Sequence, residues 1–453
     1  MSDWRNGFLL PVLPAFAGTS CAGMTTQVPL RSLSRPGVGG KSVRMERAAY
    51  ESDTAQRART AWLLVSARGA RSIWQGALVV DFALYLRALG WSAVSISAVL
   101  ATALLFGAVL TMLLGPLSDR FGRRQFLLAY DAAQGVAAAI AFVTTAPVPL
   151  VAAAIVGGFG RGGSGAAGPF SPVEQAWLAQ CVPASRRGPF YSLNAAVGFI
   201  GMAMGAVLAG LPEWTAGARA PADAYRPLFA ATVLLSVICF MLVAAGKDTR
   251  SDIALRVAEP DRSVERQREN RMIRQLVIAN ALNGVGLGLT GPLISYWFAL
   301  RFHEGPGAIG PMIAISFVLA AGSSLFSRWL MHWMSVVRTV VVMRTAGLLL
   351  LLALPFAPSF VLASALYVGR TVLNRGTSGP RSAVNVGIVR PARRGFSAAS
   401  ANVALQVPRA IGPVLAGLCY EVGLFAEPFL AAAVFQAAYV WIYDRSFRDV
   451  ILR

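Results

Sequence analysis

The chain has 453 residues, of which 56% are hydrophobic and only 14% charged, with a mean hydropathy of +0.58. Soluble domains carry charge on about a quarter of their residues, so this composition excludes an ordinary soluble fold and points to a polytopic membrane protein. The net charge of +20 is almost wholly arginine, since lysine occurs only at Lys41 and Lys247. The arginines fall mostly in short connectors between apolar runs, which is a topology signal and not a nucleic-acid footprint.

From the N-terminus, Phe8 to Met24 is apolar but too short to span a bilayer and is broken by Pro11 and Pro14. Ala-Phe-Ala before Gly18 imitates a signal-peptide cleavage site. An export signal conflicts, however, with the cytoplasmic N-terminus derived below. Pro-Ala-Phe-Ala-Gly looks like translated intergenic repeat DNA, and translation is expected to begin near Met45, leaving residues 1–44 without a role. Peptides from before Met45 in the native protein would refute this.

A spanning helix needs about 20 predominantly apolar residues. Twelve such stretches follow, at 63–86, 93–114, 126–145, 149–178, 190–211, 227–245, 274–300, 308–326, 339–356, 360–388, 396–420 and 426–443. The fourth and tenth are long and rich in Gly and Pro, so bends or breaks are expected there. Connectors after even-numbered stretches up to the tenth hold seventeen Lys and Arg, whereas the others hold four. The positive-inside rule then places both termini in the cytoplasm. The expected division is a cytoplasmic extension over 1–60, a six-helix half over 61–246, a linker over 247–273, a second half over 274–445 and a tail over 446–453.

Ionisable residues at membrane depth are expensive and are functional candidates by default. In the first stretch Asp81 is a candidate for carrying a proton or coupling to substrate, against a permanent ion pair or a place in the outer vestibule. After the second stretch, Gly115-Pro-Leu-Ser-Asp119-Arg120-Phe-Gly122-Arg123-Arg124-Gln forms a short charged connector. Its two glycines allow close approach, and Asp119 can accept from a neighbouring arginine or cap a helix N-terminus. Asp131, near the start of the third stretch, is within reach of Arg123 or Arg124 and reads as structural.

The connector resembles, at every position, the signature between the second and third helices of the major facilitator superfamily of secondary transporters. The resemblance covers roughly residues 60 to 445. It implies an all-α integral membrane protein of twelve transmembrane helices in two pseudo-symmetric six-helix halves that rock about a central site. It also implies that Asp119 latches the cytoplasmic face near Gly395 to Ser397, at the start of helix 11.

In the fourth stretch, Arg161-Gly-Gly-Ser164-Gly resembles the superfamily's fourth-helix signature, with Ser164 in place of its glutamine. Relatives use that arginine in proton transfer or anion binding; a structural ion pair is the alternative. Glu174 is expected to neutralise Arg381 or a cytoplasmic arginine, or else to serve the binding site. In the fifth stretch, Gly198, Gly201, Gly205 and Gly210 read as packing seams. Many proton-driven exporters of the superfamily carry Gly-x-x-x-Gly-Pro there, but Ala206 replaces the proline.

Asn280 and Asn283 share a face of helix 7, which lines the cavity in relatives, and are ligand or interhelical hydrogen-bond candidates. Arg344 is expected to snorkel or pair near the inner surface. Arg370 is the counterpart of Arg161 in helix 10; paired cations facing a midplane cavity favour an anionic ligand. Asn374, Arg375 and Asn402 are vaguer candidates, and Arg409 is too deep to snorkel, so a static ion pair leads there.

The halves repeat. Gly160-Arg161 recurs as Gly369-Arg370, Gly168-Pro169 as Gly379-Pro380, Arg186-Arg187-Gly188 as Arg393-Arg394-Gly395, and Val207-Leu-Ala-Gly-Leu211 as Val414-Leu-Ala-Gly-Leu418. Four matches in order at nearly one spacing carry the two-half reading.

No enzyme is expected. The two histidines, His303 and His332, lie in connectors, and Cys21, Cys181, Cys239 and Cys419 show no metal or disulfide spacing. No cofactor, metal or nucleic acid is expected; the partners are lipid, a small molecule and protons, with a monomer sufficing. Proton-coupled export of a small organic compound leads, followed by uptake of an organic anion or nutrient, and then a non-transporting sensor or scaffold. The scarcity of lysine points to a GC-rich bacterial genome and thus to a bacterial inner membrane.

Overall fold

The computed structural model describes residues 40–161, 168, 171–183, 186–215, 222–247, 263–390 and 393–448. The expectations for the first 39 residues and for Ser164 lie outside them. The chain divides into two compact units at Arg59 and Thr60.

The helices group into twelve rods. Rod 1 is α1 (Gly40–Ala88) from Thr60 onward, rod 2 is α2 (Ala93–Phe121) and rod 3 is α3 (Arg123–Val143). Rod 4 joins α4 (Pro147–Gly157) to α5 (Ser171–Cys181). Rod 5 is α6 (Arg187–Leu208), followed by the short α7 (Leu211–Thr215), and rod 6 is α8 (Arg226–Ala245). Rod 7 joins α9 (Ser263–Thr290) to α10 (Ile294–Phe302), while rods 8 and 9 are α11 (Pro306–Leu330) and α12 (Val336–Ala353). Rod 10 joins α13 (Phe360–Gly376) to α14 (Ser378–Gly387), and rod 11 joins α15 (Arg394–Arg409) to α16 (Ile411–Glu421). Rod 12 is α17 (Glu427–Phe447).

Local chemistry sets these limits. Ser92, Ser335 and Ser359 cap rods 2, 9 and 10 by accepting from Ser95, Arg338 and Leu362 backbone N–H groups. Prolines in the first turn open rods 4, 8 and 12, where a missing N–H costs nothing. The connector after rod 2 is shorter than expected. Helix α2 runs through Asp119 and Arg120 to Phe121, and Gly122 alone, at φ 97° and ψ 132°, makes the turn. A side chain at that φ would be strained.

Among the described residues, eight helices are by themselves long and apolar enough to cross a membrane. Rods 1, 4, 10 and 12 fall short for physical reasons. Rod 1 carries Arg68, Arg71 and Asp81, rod 4 is broken, rod 10 carries Arg370, Arg375 and Arg381, and rod 12 carries charge at both ends. Exposed apolar side chains such as Leu113, Met241, Val361 and Trp441 line the outside. On a water-facing surface they would be a liability, whereas against lipid they are the expected exterior.

Glycine seams join the rods in two matched sets. A methyl on Gly205 of rod 5 would collide with the Ile73 carbonyl of rod 1, and one on Gly288 of rod 7 with the Arg409 carbonyl of rod 11. Between the halves, Gly417 of rod 11 meets Ser97 of rod 2, and Gly310 of rod 8 meets the Ala206 carbonyl of rod 5. Adding six to each rod number turns one member of either pair into the other. The repeat read from sequence is therefore a repeat of contacts as well. Small residues permit this approach where lipid gives no hydrophobic drive between helices.

Candidate functional site

Among the described residues, four groups of polar side chains inside the helical body bear on function. The first is an ion-pair cluster centred on Arg71 of rod 1. Its Nη1 donates to Glu174 Oε2 at 2.6 Å, while Nε and Nη2 donate to Asp131 Oδ1 at 3.2 and 3.0 Å. All three side chains are 1–2% exposed. Asn194 of rod 5 donates to the other Glu174 oxygen at 3.2 Å, and Arg68 is buried one turn below. Two arginines thus face two carboxylates, with rods 1, 3, 4 and 5 tied together.

This corrects two expectations. Glu174 pairs with Arg71 and not with Arg381, which instead donates to Asn280 Oδ1 at 2.9 Å. Asp131 also pairs with Arg71; Arg123 and Arg124 donate to the Ala176 and Ala244 carbonyls at 2.8 and 2.5 Å. The Ala244 carbonyl lies in the last turn of α8, where a cation is favoured by the helix dipole.

The second group surrounds Arg161. The expected break in rod 4 follows Gly157, and Gly158 and Gly160 take φ of 70° and 76°. Its guanidinium lies against Gly107 and Gly158, positions where any side chain would intrude. Among the described residues it donates to the Ala103 and Val156 carbonyls alone, at 3.3 and 3.4 Å. Arg161 lines a narrow cleft with Trp74, Gln75, Leu78 and Tyr130. Trp74 Nε1 and Gln75 Oε1 are buried there without a hydrogen-bond partner among the described residues. Unpaired buried polar atoms cost about 1–3 kcal/mol each, so such atoms call for a ligand or water.

The third group lies in the second half. Of the two expectations for Arg344, snorkelling or pairing, the first fails: it is 3% exposed and donates to Thr377 Oγ1 at 3.1 Å and Asn283 Oδ1 at 3.3 Å. Arg344 and Arg381 both sit over the Tyr439 ring, 5.4 and 5.7 Å from its centroid. Arg370 is 5% exposed and donates to Thr290 Oγ1 at 3.1 Å, while its Nε has no hydrogen-bond partner among the described residues. Arg375 lies 4.4 Å above the Phe317 ring of rod 8 and 5.5 Å from Phe199 of rod 5, bridging the halves. Asn374 Oδ1 is buried against Gly347 without a partner among the described residues. Asn280 and Asn283 thus serve arginines, and they gather with Arg344 and Arg381 around rod 12.

The fourth group is Asp81 alone. It is fully buried, and neither carboxylate oxygen has a hydrogen-bond partner among the described residues. Leu78, Phe82 and Tyr85 flank it on α1, within the main apolar core.

Sequence reasoning missed Arg71, Trp74, Gln75 and Thr290. A signal existed for the first. Arg68 and Arg71 stand inside the first apolar stretch, one helical turn apart, where charge is costly. The side chains of Gly115, Asp119 and Arg120 lie outside the described residues.

The chain matches the model of the Major Facilitator Superfamily over residues 61–373. It is 23% identical over 337 residues to the uncharacterized membrane protein YJR124C of Saccharomyces cerevisiae, covering 66% of this chain and 74% of that one. Its fold is similar to the nucleoside transporter NupG, at TM-score 0.63 and 14% identity, covering 86% of this chain and 100% of that one. A bacterial homolog of the human lysosomal transporter Spinster matches at TM-score 0.64 and 16% identity, covering 87% and 97% of the two chains. The xylose transporter XylE from E. coli matches at 0.64 and 14%, covering 84% and 94%.

Proposed function

Because the chain belongs to the Major Facilitator Superfamily, and is therefore a multi-pass secondary transporter working by alternating access, we propose that its cargo is a small organic anion moved together with protons. One observation carries the cargo class. Among the described residues, Arg161, Arg344 and Arg370 lie inside the helical body and donate to carbonyl, hydroxyl and amide oxygens, with no carboxylate among their acceptors. Neutral acceptors leave their charge uncompensated, and burying uncompensated charge is costly. An anionic ligand that reaches them supplies the missing charge and turns that cost into affinity. Arg161 and Arg370 occupy matched positions in rods 4 and 10, so each half offers a cation at the same place in the repeat.

Asp81 favours proton coupling, since a buried carboxyl outside any ion pair is suited to exchanging a proton. Its apolar surroundings also keep the second reading alive, proton-driven export of an amphipathic compound. Ala206, in place of the exporters' proline, weighs against that reading. The proposed setting is a bacterial plasma membrane with both termini cytoplasmic, on the arginine asymmetry of the connectors and the scarcity of lysine. Division near Lys247 into two six-helix halves completes the proposal.

The test is ligand-dependent unfolding of purified protein in detergent, scanning carboxylates, phosphate esters, sugars and amphipathic cations. A true ligand at about 100 times its Kd stabilises by about 2.7 kcal/mol. Anions are expected to stabilise the wild type and to lose the effect in Arg161→Ala and Arg370→Ala. Stabilisation by cations alone, unchanged in both variants, would overturn the proposal.

The Asp119 latch yields a separate prediction. Asp119→Asn should fold with a wild-type melting temperature, yet lower flux by about tenfold, the effect of about 1.4 kcal/mol lost from one state. Wild-type flux would refute the latch.

A further inference from the structure

Among the described residues, three hydrogen bonds tie rods 1–6 to rods 7–12 toward the face opposite Gly122. Ser295 of rod 7 donates to the Val79 carbonyl at 3.4 Å. The other two share an unusual form. The Gly307 backbone N–H, in the first turn of rod 8, donates to Glu213 Oε2 at 2.7 Å, and Glu213 follows rod 5. The Val94 backbone N–H, in the first turn of rod 2, donates to Glu421 Oε2 at 3.3 Å, and Glu421 ends rod 11.

Each contact is a carboxylate of one half capping the N-terminus of a long helix in the other half. Under the repeat, rod 5 becomes rod 11 and rod 2 becomes rod 8, so the two contacts are one contact used twice. Rod 8 depends on its cap more heavily. Gly305 at its N-cap offers no side chain, and Pro306 at the first position has no N–H. Side chains at Gly305 or Gly307 would intrude on the Glu213 carboxylate. In rod 2, Ser92 already serves Ser95, leaving the Val94 N–H for Glu421. A helix N-terminus carries unpaired N–H groups and the positive end of the dipole, and both favour a carboxylate.

We propose that Glu213 and Glu421 form a pair of reciprocal helix-capping latches that hold this face closed. Rocking the halves apart on this face pulls each carboxylate from its helix end, so both caps exist in one state only. They bias the equilibrium by that difference alone. The proposal rests on the alternating-access reading and supplies a counterweight to the Asp119 region on the opposite face.

The test measures distances across this face. Spin labels at Thr145→Cys and Pro358→Cys, both exposed, in a chain whose native cysteines are replaced by serine, report the separation of the halves by pulsed electron paramagnetic resonance. Glutamine at positions 213 and 421 keeps size but removes charge, and both sites are exposed, so folding is retained. Each charge–dipole contact is worth about two- to fivefold. Glu213→Gln with Glu421→Gln should enlarge the long-distance population by about tenfold, with either single variant between. Unchanged distances in the double variant overturn the proposal. Asp119→Asn separates this failure from a deeper one. If it alone moves the distances, the halves rock but the caps are idle; if nothing moves them, rocking itself fails.

Discussion

Arg71→Leu is expected to destabilise the folded protein by about 3–5 kcal/mol, the largest effect of any single substitution in the first half. The arginine donates four hydrogen bonds to two carboxylates at 1–2% exposure. Its loss leaves Asp131 and Glu174 facing each other without a cation between them. Arg68 remains nearby, but its contacts do not include either carboxylate in a hydrogen bond among the described residues. Arg71→Lys should fall between wild type and leucine, because one ammonium cannot span two carboxylates as a planar guanidinium does. Replacing Arg71, Asp131 and Glu174 together with apolar residues should recover most of the loss, since the penalty comes from uncompensated charge. Denaturant or thermal unfolding in detergent measures all three. A wild-type melting temperature for Arg71→Leu would show that the cluster does not hold rods 1, 3 and 4 together.

Asp81→Asn is expected to abolish proton-driven accumulation while sparing the fold. Asparagine keeps the shape of the side chain but cannot exchange a proton. A one-unit pH gradient stores about 1.4 kcal/mol, enough for about tenfold accumulation of a substrate carried with one proton. In proteoliposomes the wild type should reach that ratio, whereas Asp81→Asn should equilibrate substrate without concentrating it. Exchange of labelled for unlabelled substrate should persist, because it needs no net proton movement. Because neither Asp81 oxygen is hydrogen-bonded among the described residues, no partner is orphaned and the melting temperature should hold. Accumulation at the wild-type ratio in Asp81→Asn would assign the proton elsewhere.

Much of the architecture was legible because bilayer thickness and backbone satisfaction leave few options. Twelve apolar stretches became twelve rods, and the breaks expected in rods 4 and 10 fall after Gly157 and at Thr377. The break in rod 11 at Ala410, between Pro408 and Pro413, was not among the expected ones, although proline is the usual cause. The partners of buried charges were not legible. Glu174 and Asp131 meet Arg71 from sequence separations of 103 and 60 residues, and several other arginines stood at comparable depth. Choosing among them requires knowing which helix face turns inward, which one sequence does not reveal. The reciprocal caps were hidden for a related reason. Glu213 and Glu421 stand at rod ends, where carboxylates are usually solvated, and only the packing of rods 2 with 11 and 5 with 8 brings each to a helix N-terminus.

The central claim, that arginines inside both halves hold an organic anion in transit, is tested most directly by counterflow in proteoliposomes. Vesicles preloaded with candidate anions are offered trace labelled anion, using wild type, Arg161→Ala and Arg370→Ala of equal melting temperature. The account predicts labelled uptake by the wild type for at least one carboxylate or phosphate ester, falling at least about tenfold in each variant. Counterflow of cationic or neutral amphiphiles that persists in both variants, with no anion carried by the wild type, would contradict it.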